Sequence, residues 1–141
     1  MEKVYQLIAG LYGDTLHDFL LGVNGTSGTN HFNVLFVVLL IISAGIIPYF
    51  YYKLWDRATW SSIGKWVLML LINAVVVFLV NVIWVYSLHD QMIDEEGADL
   101  NIGLTNIIGF GIASALLASF VFFIASLLWK TQSTNCPSTP F

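Results

Sequence analysis

Two groups of titratable side chains in this sequence could face a cation. They are His17 with Asp14 and Asp18, and His89 with Asp90 and Asp94. Metal ligands on helices do use spacings of three or four residues, but a histidine beside surface acids is far more often simply hydrated. The sequence has no CxxC or other Cys/His metal spacing, and its single cysteine, Cys136, can form no intrachain disulfide. We therefore expect no metal and no cofactor.

Four uncharged polar residues interrupt long apolar stretches: Asn73, Asn81, Thr105 and Asn106. On a helix, Asn73 and Asn81 project within about 80° of each other and so share one face. An amide that faces lipid is costly, so this face should meet protein or water. It predicts either hydrogen bonds between helices of the protein or an amide-lined pore in an oligomer.

Small residues form a stripe further along the chain. Gly111, Ala115 and Ser119 are spaced by four, and Ala118 widens the stripe. A small-xxx-small surface of this kind lets a second helix approach closely. We expect it to be a helix-packing surface, whose partner is either the chain's own first span or another copy of the chain.

The elements that position these residues are long apolar segments. Residues 66–88 contain no Asp, Glu, Lys, Arg, His, Pro or Gly, and a helix of this length crosses the ~30 Å hydrocarbon core of a bilayer. Two similar runs flank it. The sequence predicts an all-α integral membrane protein with transmembrane helices at 32–54, 65–88 and 102–129. Within the first span, Pro48 removes the backbone bond to Ala44 and should kink the last turns.

The remaining segments connect or flank these spans. Residues 1–22 have apolar residues at helical spacing interrupted by polar ones, which predicts an amphipathic helix on the membrane surface or on a partner. Residues 23–31 are a linker rich in turn-forming residues. The loop at 55–64 is short, and the tail at 130–141 is polar with two prolines. The loop at 89–101 is acidic, with Asp90, Asp94, Glu95, Glu96 and Asp99 and no basic residue.

Charge predicts the orientation of the spans. With three spans, the first loop and the tail share one side of the membrane, which holds four of the five basic residues and only one acid, Asp56. The other side holds only Lys3 and the remaining eight acids. The positive-inside rule then places the N-terminus outside and the C-terminus in the cytoplasm, in the plasma (inner) membrane. The acidic loop is either a hydrated connector or, in a ring of subunits, an outer vestibule that attracts cations.

The composition argues against several classes of function. The chain is 57% hydrophobic and 10% charged, with a mean hydropathy of +0.79, against about 25% charge in soluble proteins. No Asp, Glu, Lys, His or Cys lies in the middle of a span, so ion-coupled transport, voltage sensing and catalysis within the membrane lack their usual groups. The serines there have no base to activate them. Five scattered basic residues make no nucleic-acid surface.

Two functions fit these features. The first is a small non-enzymatic subunit that packs into a larger membrane assembly through the stripe and the asparagine face. The second is a homo-oligomeric pore. The count of three spans and the orientation, N-terminus out and C-terminus in, are similar to those of small phage holins of the three-span type. That resemblance in layout implies a pore, although the tail here has only Lys130 where such proteins usually end in a basic cluster.

Overall fold

The computed structural model describes residues 9–23, 30–54, 63–88 and 102–130, apart from the side chains of Lys53, Leu54 and Lys130. The described residues are 91% helical and contain no strand. Most of the predicted linker, both loops and the tail lie outside the described residues, as does the start of the predicted N-terminal helix.

Three long helices follow a short one. The short helix, α1, is Asp14–Leu21, and α2 comprises residues 31–54 in four consecutive helical pieces. Helices α3 and α4 are Ile63–Ser87 and Leu104–Lys130. Candidate membrane spans in these three helices are 22, 25 and 26 residues long, which is sufficient to cross a bilayer. The prediction of an all-helical chain with three long apolar helices is confirmed, and we treat the protein as membrane-embedded.

Helix α2 departs from regular α-helix around its proline. It begins as α-helix at His31–Leu40, continues as π-helix at Ile41–Ile46, and has a second π-helical stretch at Phe50–Leu54 after Pro48. In the first π-helical stretch the Ile47 N–H donates to the Ile42 oxygen, one residue further back than in an α-helix. Local π-helical adjustment is one way in which membrane helices accommodate the missing N–H of proline.

The N-terminal segment differs from the single helix that the sequence predicts for residues 1–22. A 3-10 turn at Ala9–Leu11 is separated from α1 by Gly13, whose φ of 88° lies in a region that residues with a Cβ rarely adopt. Gly22, which has φ 80°, caps the C-terminal end of α1. The Gly22 and Val23 N–H groups donate to the Phe19 and Asp18 oxygens, both at 3.0 Å, as in a Schellman cap.

Two compact units account for the described contacts. The first consists of Met1–Val37 and Phe78–Ser114, and the second of Val38–Val77 and Ala115–Phe141. In the first unit, α1 is buried through Leu16, Phe19 and Leu20, each with 0% exposure. The apolar side of α1 therefore packs against the chain itself.

The second unit has a core with a clear register. Leu39 packs with Val77 in one cluster, and Ile47 packs with Met69 in the next. Because residue numbers rise along α2 as they fall along α3, these two helices are antiparallel in this unit. Helix α4 contributes Ala118 to the first cluster and Phe122 to the second.

Candidate functional site

Asn73 makes the hydrogen bond between helices that the sequence offered as one of two alternatives. Its side chain is fully buried in the second unit, and its Nδ2 donates to the Ala118 oxygen at 3.1 Å. Ala118 has no side chain beyond Cβ, which allows the amide to reach the backbone of α4. The Asn73 Oδ1 atom is buried without a hydrogen-bond partner, so the side chain uses only part of its bonding capacity.

Ser43 adds a second buried polar group in the same unit. The register of α2 and α3, with Leu39 opposite Val77 and Ile47 opposite Met69, places Ser43 at the level of Asn73. The Ser43 side chain is fully buried in the π-helical stretch, and its Oγ has no hydrogen-bond partner. This level of the core is therefore polar but holds no charged group.

The other residues of the predicted polar face lie in the first unit and differ in exposure. Asn81 is 1% exposed, whereas Thr105 is exposed at the start of α4. Asn106 is half-buried, and its Nδ2 lies 3.5 Å from the position that a Cβ on Gly13 would occupy. Asn106 thus sits beside the break before α1. The four polar residues that the sequence singled out therefore differ in their surroundings.

The small-residue stripe is used within the chain. In the first unit, a Cβ on Gly111 would lie 2.6 Å from the Val82 Cγ2 and 2.9 Å from the Phe78 ring, so the absence of a side chain allows α3 to pack there. In the second unit, Ala118 is fully buried. Ser119 is half-buried, and its Oγ donates to the Ala115 oxygen at 2.9 Å on its own helix. The partner of Gly111 is the second span, an intrachain partner that the sequence alternatives did not include.

Two tryptophans bind polar groups in the second unit that sequence reasoning missed. The Trp129 Nε1 donates to the Ala44 oxygen at 2.7 Å, and the Trp66 Nε1 donates to the Ser126 Oγ at 3.3 Å. Both rings lie near the ends of spans, where tryptophan commonly occupies the membrane interface. Pro48 could have suggested the bond to Ala44, because proline leaves the Ala44 oxygen without its usual backbone donor.

His17 is not part of a hydrated acidic cluster. Its side chain is 7% exposed, and its Nδ1 is 2.9 Å from the Tyr12 hydroxyl, while its ring lies 5.0 Å from the Phe32 ring. Among the residues that the structure describes, no group of three His, Cys, Asp or Glu side chains could hold a metal. His89 and the acidic-loop residues lie outside the described part of the chain; these acids are Asp90, Asp94, Glu95, Glu96 and Asp99.

The N-terminal segment makes a close backbone contact with α4 that the sequence did not predict. A Cβ on Gly109 would collide with the Leu11 backbone oxygen and lie 3.2 Å from the Tyr12 Cα. The Tyr12 ring meets the Phe110 ring edge to face, with centroids 5.2 Å apart. Glycine at position 109 thus allows the segment before α1 to lie directly against α4.

The described residues offer amides, hydroxyls and indoles inside an apolar protein. Some of these groups bond one another or the backbone, and others are buried without a hydrogen-bond partner. Comparisons with protein-family models, curated proteins and solved structures gave no match for this chain.

Proposed function

We propose that this protein is a non-enzymatic subunit of a larger membrane assembly. The observation that carries the proposal is the burial of Asn73 and Asn81, at 0% and 1% exposure, inside the single chain. Their polar groups contribute to packing of the chain's own helices, which leaves an apolar outer surface. Such a surface suits contact with lipid and with the helices of other membrane proteins.

The outer positions of α4 support this role. Leu116, Phe120 and Leu128 are 62%, 63% and 68% exposed. Association of helices in a membrane depends on van der Waals fit and a few polar contacts and not on hydrophobic burial. An apolar outer face can therefore contact other helices without any further chemistry.

A homo-oligomeric pore is the weaker alternative. A conducting pore needs polar groups that face the shared axis, and the amides that the sequence offered for this purpose are buried inside one copy. The acidic loop that would form a vestibule lies outside the described residues. The resemblance to holins rests on span number and orientation alone, which is a likeness of layout and not of site.

Site-specific photo-crosslinking in the native membrane tests the subunit role. Benzoylphenylalanine replaces Phe120, which is exposed, or Phe122, which is fully buried. We expect a protein adduct of one defined mass from position 120 and none from position 122. The two positions lie two residues apart on α4 and carry the same native residue, so position 122 is a matched control. Lipid adducts alone at position 120, and at Leu116, would contradict the proposal.

Reconstitution of the purified chain separates the subunit from the pore. In nanodiscs we expect a mass of one or two copies, and in liposomes we expect no leakage of ions above protein-free vesicles. A closed ring of many copies that conducts ions would overturn the subunit role and favour the pore.

A further inference from the structure

An open apolar groove runs along one side of the second unit. Its volume is about 610 Å³, within the ~300–1,000 Å³ range of small-molecule sites. Nearly all of its wall is apolar, and Ala44 and Gly45 are the smallest residues in that wall. The lining residues are Leu40, Ile41, Ala44, Gly45, Ile46, Tyr49, Phe50 and Trp129.

The groove has the length of one membrane leaflet. From Leu40 to Phe50 it follows eleven residues of α2, a length of at most about 15 Å, since ten steps at the α-helical rise of 1.5 Å give that distance. The hydrocarbon core of a bilayer is about 30 Å thick, so one leaflet provides about half of that. A single acyl chain fits this length, whereas a transmembrane helix would continue past Leu40 into the other leaflet.

The sequence near one end of the groove carries the charge that an anionic headgroup requires. Tyr49, Phe50 and Trp129 line this end, and aromatic residues of this kind favour the headgroup region. In the sequence, Lys53 follows one turn after Tyr49, and Lys130 follows Trp129 directly. No acidic residue occurs in either of the helices that line the groove.

We infer that this groove binds one acyl chain of an anionic phospholipid, with the headgroup at the lysine end. The Trp129 indole is held in place by its bond to the Ala44 oxygen and by an edge-to-face contact with Tyr49, whose ring centroid is 5.8 Å away. The wall of the groove is therefore fixed before the lipid arrives. This inference rests on the membrane location that the proposed function assumes, but not on a protein partner.

Lipid retention measured by native mass spectrometry tests the site. The full chain is released from nanodiscs that contain equal amounts of phosphatidylglycerol and phosphatidylcholine, and the lipid that stays bound is identified. We expect one retained phosphatidylglycerol per chain. Gly45→Leu should reduce this retention about tenfold, a difference of about 1.4 kcal/mol, because a Cβ at position 45 meets no atom within 4 Å and the leucine can extend into the groove.

Gly64→Leu is the matched control. Gly64 is also helical, and a Cβ there also meets no atom within 4 Å, but Gly64 does not line the groove. It should retain phosphatidylglycerol like the unaltered chain. Lys130→Gln should remove the preference for phosphatidylglycerol over phosphatidylcholine while bound lipid persists.

Three results would overturn the inference. One is equal retention by Gly45→Leu and the unaltered chain. Another is retention without any headgroup preference in the unaltered chain. The third is a lipid-free dimer that Gly45→Leu converts to a monomer, because a second copy would then occupy the groove. None of these results depends on the crosslinking outcome at Phe120, so the two proposals can fail separately.

Discussion

The indole nitrogen of Trp129 donates a 2.7 Å hydrogen bond to the main-chain oxygen of Ala44. In a regular α-helix the N–H of residue 48 would bond that oxygen, but residue 48 is proline and has no N–H. A side chain from the last turn of α4 therefore donates to an oxygen whose usual α-helical donor is removed by the proline. The same bond fixes one wall of the groove.

Trp129→Phe should destabilise the protein by about 0.6 kcal/mol and by at most about 1.7, the range measured for hydrogen bonds inside membrane proteins. The phenyl ring keeps the apolar contact but leaves the Ala44 oxygen without the indole donor. Denaturant titration of the reconstituted chain measures this cost. In a Pro48→Ala background, residue 48 regains an N–H that can reach Ala44, so the cost of Trp129→Phe should fall. An equal cost in both backgrounds would contradict this explanation.

Asn73→Leu and Ser43→Ala should have different effects. Asn73→Leu removes the bond to the Ala118 oxygen and should cost about 0.6 kcal/mol. Ser43→Ala removes a buried hydroxyl without a hydrogen-bond partner, so it should be neutral or slightly stabilising, since such a group costs desolvation energy. The same titration compares the two variants. A loss from Ser43→Ala as large as that from Asn73→Leu would mean that the hydroxyl is bonded in the membrane.

Substitution of alanine for Gly109 or Gly111 should destabilise the protein. Gly109→Ala would press a methyl group onto the Leu11 backbone, and Gly111→Ala would press one onto Val82 and Phe78. Overpacking of this kind costs about 1–3 kcal/mol. For Gly109→Ala we expect faster amide exchange in α1, because a backbone neighbour can escape only by moving the segment.

Gly64→Ala is the control for both glycines, since a Cβ at that position meets nothing within 4 Å. It should be neutral or stabilising by up to about 1 kcal/mol, the helix preference of alanine over glycine. If Gly109→Ala left exchange in α1 as slow as in this control, the contact between Gly109 and Leu11 would be wrong.

Tyr12→Phe should destabilise the first unit through His17. The variant keeps the ring that meets Phe110 but leaves the buried His17 nitrogen without the hydroxyl at 2.9 Å, at a cost of about 1–3 kcal/mol. Adding His17→Leu should recover most of this loss, because two apolar partners leave nothing unsatisfied. Thermal unfolding in detergent measures both variants. A double variant that loses the sum of the two single effects would refute the pairing.

Sequence reasoning was strongest where a single physical rule dominates. Long apolar runs without Gly or Pro predict helices, and the observed α3, Ile63–Ser87, differs from the predicted 65–88 by no more than two residues at either end. Of the polar and small residues that the sequence singled out, Asn73 and Gly111 lie at contacts between helices, whereas Thr105 is exposed.

The partners of these residues could not be predicted, because they depend on helix register and not on local pattern. Gly111 matches a packing motif for any nearby helix, and only the fold shows that Phe78 and Val82 lie beside it. His17 is buried next to a turn at Gly13, and helical periodicity in the sequence does not predict that turn. The groove requires both the π-helical stretch of α2 and the position of Trp129.

We predict that this chain crosses the membrane three times, with its basic side in the cytoplasm. Labelling of single cysteines in intact cells tests it most directly, with Cys136→Ser as the background and Ser61→Cys or Gly97→Cys added. We predict that a membrane-impermeant maleimide labels position 97 in intact cells and labels position 61 only after permeabilisation. Labelling of position 61 from outside, or of both positions from the same side, would contradict the account.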